Sequence, residues 1–170
     1  METIATVIEL VQTKLKNQFG DDLLAFEQSY DFPVFTVNRD RLVEIIHFLY
    51  HEPELEFQFL TTLCGIHFPD NKGQELGVVY HLHSLVKNYR IRLKIFFSVN
   101  DPHVPTLTGL FLTANWMERE TYDFFGVLFT GHPNLKRILN VDEMVDFPLR
   151  KEFPLEDPTR EDKNDSMFGR

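Results

Sequence analysis

Residues 91–97 constrain the fold more than any other segment, because apolar and polar positions alternate along them. The odd-numbered positions are all apolar, whereas Arg92 and Lys94 occupy even-numbered positions. A period of two residues is that of a β-strand with one side against a core and the other side towards water. The alternation therefore predicts a sheet that is covered on one face.

Further strands and two helices are predicted around that run. A turn at 69–73, with Pro and Gly, separates two apolar runs and predicts a hairpin. An apolar period of 3.6 residues predicts one helix over 2–19 and a second that begins at Asn38 or Asp40 and ends at Pro53. The other predicted strands cover residues 23–28, 32–37, 57–66, 76–85 and 127–129.

The pattern changes in the second half of the chain. Residues 105–126 are predicted to be helical in one or two pieces. A helix is predicted to restart at Asn115, because Glu118 follows at the spacing of a capping box, and to end at Gly126. Beyond Pro148, repeated prolines exclude regular helix and favour an extended, polyproline-like course.

These elements predict an α+β fold, in which helices pack on one face of a mixed or antiparallel sheet and an extended C-terminal arm follows. At 170 residues and 20.1 kDa the chain has the size of one domain with a core of its own. The domain is predicted to cover residues 1–147. Residues 148–170 are predicted to be a partner-binding arm with a mobile end.

Composition excludes several classes of function. A net charge of −9 argues against binding to nucleic acid and to anionic lipid. No apolar run approaches the roughly 20 residues that a membrane helix needs, and no secretion signal is recognisable, so a cytoplasmic location without membrane insertion is predicted. The single cysteine, Cys64, excludes an internal disulfide and is predicted to be a small buried hydrophobe.

Two clusters are candidates for metal binding. Glu120 and Asp123 have the spacing of one helix face, but Arg119 stands four residues before Asp123, which favours an ion-pair network. Cys64 and three histidines, His67, His81 and His83, have the donor types of a zinc site, and the sequence leaves open whether they converge. No phosphate loop, dinucleotide fingerprint or nucleophile motif is present. No catalytic, cofactor-binding or metal-binding residue is predicted.

Three clusters between residues 115 and 155 mix bulky apolar residues with Arg or Lys and with turn formers, which is typical of an interaction surface. A core role for Trp116, with solvated charges around it, is an equally compatible interpretation. The residues predicted to contact a partner are Trp116, Glu118, Arg119, Glu120, Asp123, His132, Pro133, Arg137, Pro148, Leu149, Arg150, Lys151, Phe153 and Pro154.

In their order and spacing, these clusters resemble the C-type subunit of NADH–quinone oxidoreductase, the 30 kDa subunit family of bacterial respiratory complex I. The resemblance extends from about residue 60 to residue 155. It departs from the family pattern at 144–147, where the family usually has Trp-x-Gly-His, and at His67, where the family tends to have Asp. The matching runs are 115–116, 118–120, 123–126, 131–133, 135–139 and 148–155.

The resemblance implies a cofactor-free, non-catalytic subunit in the peripheral arm of that proton-translocating complex, on the cytoplasmic side of the membrane. Its implied partners are the D-type subunit, which helps to form the quinone site, and neighbouring iron–sulfur subunits, with FMN and the iron–sulfur clusters held by partner subunits. Three alternatives stay open: the equivalent subunit of a related membrane-bound hydrogenase, a generic acidic scaffold, and an independent enzyme using Glu118, Glu120 and His132.

Overall fold

A computed structural model describes residues 4–30 and 32–153 of the chain. The helices in this part are α1 (Ile4–Phe19), α2 (Leu42–His51) and α3 (Ala114–Phe125). The strands are β1 (Leu23–Ser29), β2 (Phe32–Val37), β3 (Phe59–His67), β4 (Leu76–Ser84), β5 (Tyr89–Phe97), β6 (His103–Pro105) and β7 (Leu128–Thr130). Residues 2 and 3 of the predicted first helix lie outside the described part.

Five of these strands form one mixed sheet in the order β1-β2-β5-β4-β3. Neighbouring strands are antiparallel except for β2 and β5, which are parallel. In the register of the sheet, Leu93 of β5 lies opposite both Phe35 of β2 and Tyr80 of β4. Since side chains alternate across a strand, these three residues share one face.

The core lies on that face. Phe35, Tyr80 and Leu93 are wholly buried, and they belong to the same cluster as Val11 of α1 and Ile46 of α2. Even-numbered β5 residues point to the opposite face, where Arg92, Lys94 and Phe96 are only half-buried. The prediction of an α+β fold, with helices covering one face of a mixed sheet, is confirmed.

Helix α3 packs against β3, the strand at one edge of the sheet. A Cβ atom at Gly65 of β3 would lie 2.4 Å from the ring of Phe125, so only glycine allows so close an approach. Beside this helix, β6 and β7 form a short parallel pair. This pairing brings the segment before α3 next to the segment that follows it.

The predicted helical stretch 105–126 is only partly confirmed. Turns replace helix before Ala114, and the predicted capping box is wrong. Asn115 lies inside α3, and no side chain caps the helix at Thr113. The physical reason is that the side chain of Glu118 is directed into the core, where it binds residues of the preceding loop.

Candidate functional site

Asp123 of α3 is wholly buried and is the centre of the motif region. Its Oδ2 atom accepts hydrogen bonds from the backbone N–H groups of Ile138 (3.0 Å), Leu139 (2.8 Å) and Asn140 (3.0 Å). Its Oδ1 atom accepts from Nη1 of Arg137 (2.8 Å) and from Nδ2 of Asn140 (3.0 Å). One carboxylate therefore ties the loop that follows β7 to α3.

These bonds decide the charge of Asp123. Burial opposes ionisation, but the hydrogen bonds from Asn140, Arg137, Ile138 and Leu139 outweigh it and hold the pKa of Asp123 well below its usual range. The side chain of Arg137 is only 6% exposed, so the two groups form a buried ion pair. Such a pair stabilises only when its remaining hydrogen-bonding capacity is used, as it is here.

Arg137 also closes a loop. Its Nη2 atom donates to the carbonyl oxygens of Met144 (2.6 Å) and Asp146 (3.1 Å), while Nη1 also donates to the Asp123 carbonyl (2.8 Å). Its guanidinium lies 5.2 Å from the ring centroid of Phe147. Residues 138–146 are therefore fixed at both ends, and we call them the 138–146 loop.

A second arginine fixes the chain beyond that loop. Arg150 lies 4.6 Å from the ring centroid of Phe147 and donates from Nε to the Phe125 carbonyl at 2.8 Å. The Leu149 N–H donates to the Phe124 carbonyl at 3.2 Å. Two consecutive turns, closed by the N–H groups of Arg150 and Phe153, give residues 148–153 a non-helical course that stays on the domain surface.

Gly126 makes this packing possible. It ends α3, as predicted, in a left-handed conformation with φ of 72°. A Cβ atom at this position would lie 2.5 Å from the Phe147 ring and 2.7 Å from Nη2 of Arg150. The end of α3 is in direct contact with Phe147 and Arg150 only because no side chain separates them.

We expect Gly126→Ala to lower the free energy of unfolding by about 2 kcal/mol or more, since it combines backbone strain with a clash. Gly73→Ala is the matched control, because Gly73 also has a positive φ, 82°, but has open space around it. Denaturant unfolding of both variants separates the two causes. Equal losses in the two variants would show that contact with Phe147 and Arg150 is unimportant.

Glu118 occupies a second buried position on α3. Its Oε2 atom accepts from Oγ1 of Thr106 (2.6 Å) and its Oε1 atom from the Leu107 N–H (2.7 Å). Burial raises the pKa of Glu118 to about 7, although both hydrogen bonds act in the opposite direction. The wholly buried hydroxyl of Tyr80 has no hydrogen-bond partner among the described residues, and burial holds its pKa well above the ordinary value.

Arg119 faces outwards from the same helix. Its Nε and Nη2 atoms donate to the carbonyls of Lys136 (3.1 Å) and Arg137 (3.0 Å), and its guanidinium lies 5.1 Å from the Trp116 ring centroid. The predicted ion pair between Arg119 and Asp123 is therefore wrong, since Arg137 is the partner of Asp123. Arg119 binds the backbone at residues 136 and 137, whereas the wholly buried Asp123 binds the backbone at residues 138–140.

The histidines and the cysteine do not form one site. His67 is buried, and its Nδ1 accepts from the Lys151 N–H at 2.9 Å. His81 lies on the opposite face of the sheet from His67 and accepts from Nε of Arg92. Cys64 is exposed, so the prediction of a buried thiol is wrong. Within the described part of the chain, no group of three or more His, Cys, Asp or Glu side chains is placed to hold a metal ion.

The residues predicted to contact a partner fall into four groups. Glu118 and Asp123 are wholly buried, so in this structure their contacts are internal. Glu120 is exposed, so the prediction that it shares a helix face with Asp123 is wrong. Pro154 lies outside the described residues. The exposed members are Trp116, Glu120, Pro133, Leu149 and Lys151. The half-buried members are Arg119, His132, Arg137, Pro148, Arg150 and Phe153.

His132 has a defined role among the half-buried members. Its Nδ1 accepts from the Asn134 N–H at 3.0 Å, so Nε2 carries the proton and donates it to the Asn115 carbonyl at 3.0 Å. The turn after β7 is thereby attached to the start of α3. Sequence reasoning missed Phe147 and the 138–146 loop, although the mixture of aliphatic and acidic residues at 139–146 was a readable signal of an exposed loop.

Comparison with known proteins identifies the family. Residues 35–159 match the family model described as respiratory-chain NADH dehydrogenase, 30 Kd subunit. The chain belongs to this family of complex I subunits, which confirms the resemblance seen in the sequence.

Its relatives include the C-type subunit of NADH-quinone oxidoreductase from Mycolicibacterium gilvum, which is 43% identical over 85% of this chain and 66% of the relative. The C-type subunit of Streptomyces coelicolor is 45% identical over 71% of this chain and 48% of the relative. A C-type subunit of Rhizobium etli is 40% identical over 86% and 77%. The chain thus spans about half to two thirds of the length of the first two relatives.

Two solved structures share the fold. The trypsin-resistant fragment (1-134) of Nqo5 superposes with a TM-score of 0.62 at 29% identity, covering 78% of this chain and 98% of the fragment. The membrane-bound sulfane sulfur reductase, described as an archaeal respiratory membrane complex, gives a TM-score of 0.72 at 21% identity, covering 88% and 86%. The second likeness shows the fold alone. None of the helices in the described part has the length and apolar character needed to span a bilayer.

Proposed function

We propose that the chain is a structural subunit of the peripheral arm of NADH–quinone oxidoreductase, with no catalytic residue of its own. In this role it holds the D-type subunit, at the quinone site, and the neighbouring iron–sulfur subunits in the positions that electron transfer requires. FMN and the iron–sulfur clusters belong to those partners. The peripheral arm lies on the cytoplasmic side of the membrane, and this chain is a peripheral member of the membrane-bound complex.

The observation that carries the proposal is what the charged motif residues bind. Asp123, Arg137 and Arg150 bind the chain's own backbone and aromatic rings. A groove of about 570 Å³ between α1 and α2, lined partly by His47 and His51, contains none of the predicted partner-binding residues. Charged groups that fix a surface segment in place suit a subunit whose work is to present a defined surface.

The exposed apolar side chains support the same role. Twelve large hydrophobic side chains in the described part are exposed, and six of them lie between residues 112 and 149. Concentrated exposed apolar residues are typical of interaction sites. The six are Leu112, Trp116, Leu139, Val141, Val145 and Leu149.

Affinity purification of the tagged chain from gently solubilised membranes tests this function, with mass spectrometry of the recovered proteins. We expect the D-type subunit and the iron–sulfur subunits, together with quinone reductase activity. Recovery of a large subunit with nickel-binding cysteine pairs would indicate a related hydrogenase instead. A chain recovered alone would contradict assembly into either complex.

Trp116 provides a specific prediction. It is 61% exposed on a helix whose neighbouring Arg119 is fixed by two carbonyls, so it is a preorganised aromatic anchor. We expect Trp116→Ala to change the free energy of unfolding by less than about 1 kcal/mol. Recovered partner subunits should fall about tenfold or more, since truncating such an anchor typically costs about 2 kcal/mol of binding.

The control is Tyr30→Ala, which removes an aromatic side chain that is 94% exposed in the turn after β1. We expect this variant to recover the partners at the wild-type level. If Trp116→Ala also recovered them fully, the exposed face of α3 would not be part of the interface.

A further inference from the structure

The 138–146 loop has a rigid backbone for a segment without regular secondary structure. Its first N–H groups are held by Asp123, and two carbonyls near its end, those of Met144 and Asp146, are held by Arg137. A turn inside it is closed by the Met144 N–H and the Val141 carbonyl at 3.1 Å. A loop that is already ordered loses little conformational entropy when it binds.

This rigid loop displays aliphatic side chains to water. Leu139 is 66% exposed, Val141 is 67% exposed and Val145 is 85% exposed. Full burial of side chains of this size makes a favourable contribution to the free energy. In the isolated chain these side chains are exposed and make no such contribution, whereas an apolar pocket on a partner would bury them.

The charges of the loop select the kind of pocket. Asp142, Glu143 and Asp146 are exposed, and the segment contains no Lys or Arg. None of the three carboxylates forms an ion pair with any residue in 4–30 or 32–153. Unpaired carboxylates around apolar side chains are complementary to a pocket bordered by cations.

We propose that the 138–146 loop is a docking protrusion that inserts Leu139, Val141 and Val145 into an apolar pocket bordered by Lys or Arg on a neighbouring protein subunit. The inference rests on the proposed function, because it needs an assembled complex.

The test uses the tagged full-length chain, expressed with its complex and purified from membranes. In the first variant, Asp142→Lys, Glu143→Lys and Asp146→Lys are combined, which reverses the charge of the loop without changing a side chain that holds it. We expect recovery of partner subunits to fall at least tenfold. The matched control combines Glu9→Lys, Asp21→Lys and Asp70→Lys, which change three exposed carboxylates elsewhere. We expect this variant to recover the partner subunits within twofold of the wild-type level.

A second pair of variants tests the apolar contribution without changing charge. Val141→Ser with Val145→Ser should lower recovery at least fivefold, whereas Leu85→Ser with Val86→Ser, in the exposed turn between β4 and β5, should not. All four sites are exposed, so folding is preserved, as thermal unfolding of each variant verifies.

Wild-type recovery by both loop variants would overturn the docking protrusion and leave the proposed function standing. An equal loss in the loop and control variants would also overturn it, because the effect would then be one of general surface charge or polarity. If the unmodified chain recovered no partner subunits, the proposed function itself would fail.

Discussion

Replacement of Asp123 by alanine is expected to lower the free energy of unfolding by about 3–5 kcal/mol. The change leaves the Arg137 guanidinium buried without its counter-charge, and breaking a buried ion pair from one side has costs of this size. It also leaves the N–H groups of Ile138, Leu139 and Asn140 without their acceptor. The 138–146 loop should therefore separate from α3 before the sheet unfolds.

Hydrogen exchange measured at individual amides distinguishes local from global loss. We expect the amides of Ile138, Leu139 and Asn140 to lose their protection in Asp123→Ala, while amides in β4 and β5 keep theirs under native conditions. Asp142→Ala, which removes an exposed carboxylate from the same loop, is the control and should stay within about 0.5 kcal/mol of the wild type. Unchanged protection at residues 138–140 would contradict the attachment of this loop to α3 by Asp123.

The same carboxylate gives the fold a dependence on acid. Because the pKa of Asp123 in the folded state is lowered, its stabilisation is fully present above the ordinary aspartate pKa of about 3.9. It is lost as the pH falls from there through the folded-state pKa. The stability difference between wild type and Asp123→Ala should therefore shrink below about pH 4, which acid titration of unfolding at fixed denaturant measures.

Periodicity predicted the sheet because its signal is local. Alternation at 91–97 depends on burial of one face, and the structure has that burial. The loop before α3 was predicted less well, because Leu107 and Phe111 have helical spacing but are buried from a segment that is not helical. The start of that loop is held by Glu118, whose carboxylate accepts hydrogen bonds from Thr106 and Leu107 although it is more than ten residues away in the sequence.

The site shows the same limit. Spacing of four residues on a helix favoured Arg119 as the partner of Asp123, but Arg137, fourteen residues further on in an irregular segment, takes that position. No periodic pattern encodes a contact of that kind. The prediction for Cys64 followed the usual burial of free cysteine and was wrong because the thiol lies on the sheet face that the helices leave uncovered. The order of the motifs identified the family without any of these contacts.

Glu118 should make the stability of the folded chain fall as the pH rises towards neutrality. Its pKa is raised from its ordinary value near 4.5 to about 7 in the folded state, so between these values the folded chain holds a proton that the unfolded chain releases. Its contribution is therefore fully present below about pH 4.5 and is lost as the pH rises to about 7. Over this pH range, the free energy of unfolding falls by about 3 kcal/mol because of Glu118.

Glu118→Gln removes the charge and keeps the loop in place. The amide oxygen can accept from the Leu107 N–H, and the amide nitrogen can donate to the Thr106 hydroxyl, so the contacts of the loop before α3 are retained. We expect the unfolding free energy of the variant, relative to wild type at the same pH, to rise by about 3 kcal/mol between pH 4.5 and pH 7.5.

Denaturant unfolding at half-unit pH steps measures this difference directly. Glu120→Gln, at the exposed position two residues along α3, should differ from wild type by a constant amount to within about 0.5 kcal/mol over the same range. Because the contribution of Asp123 is complete above about pH 5, it does not change across most of this interval and cancels in the comparison. A difference between Glu118→Gln and wild type that stayed flat with pH would mean that Glu118 is ionised in the core throughout, stabilised by its two hydrogen bonds alone.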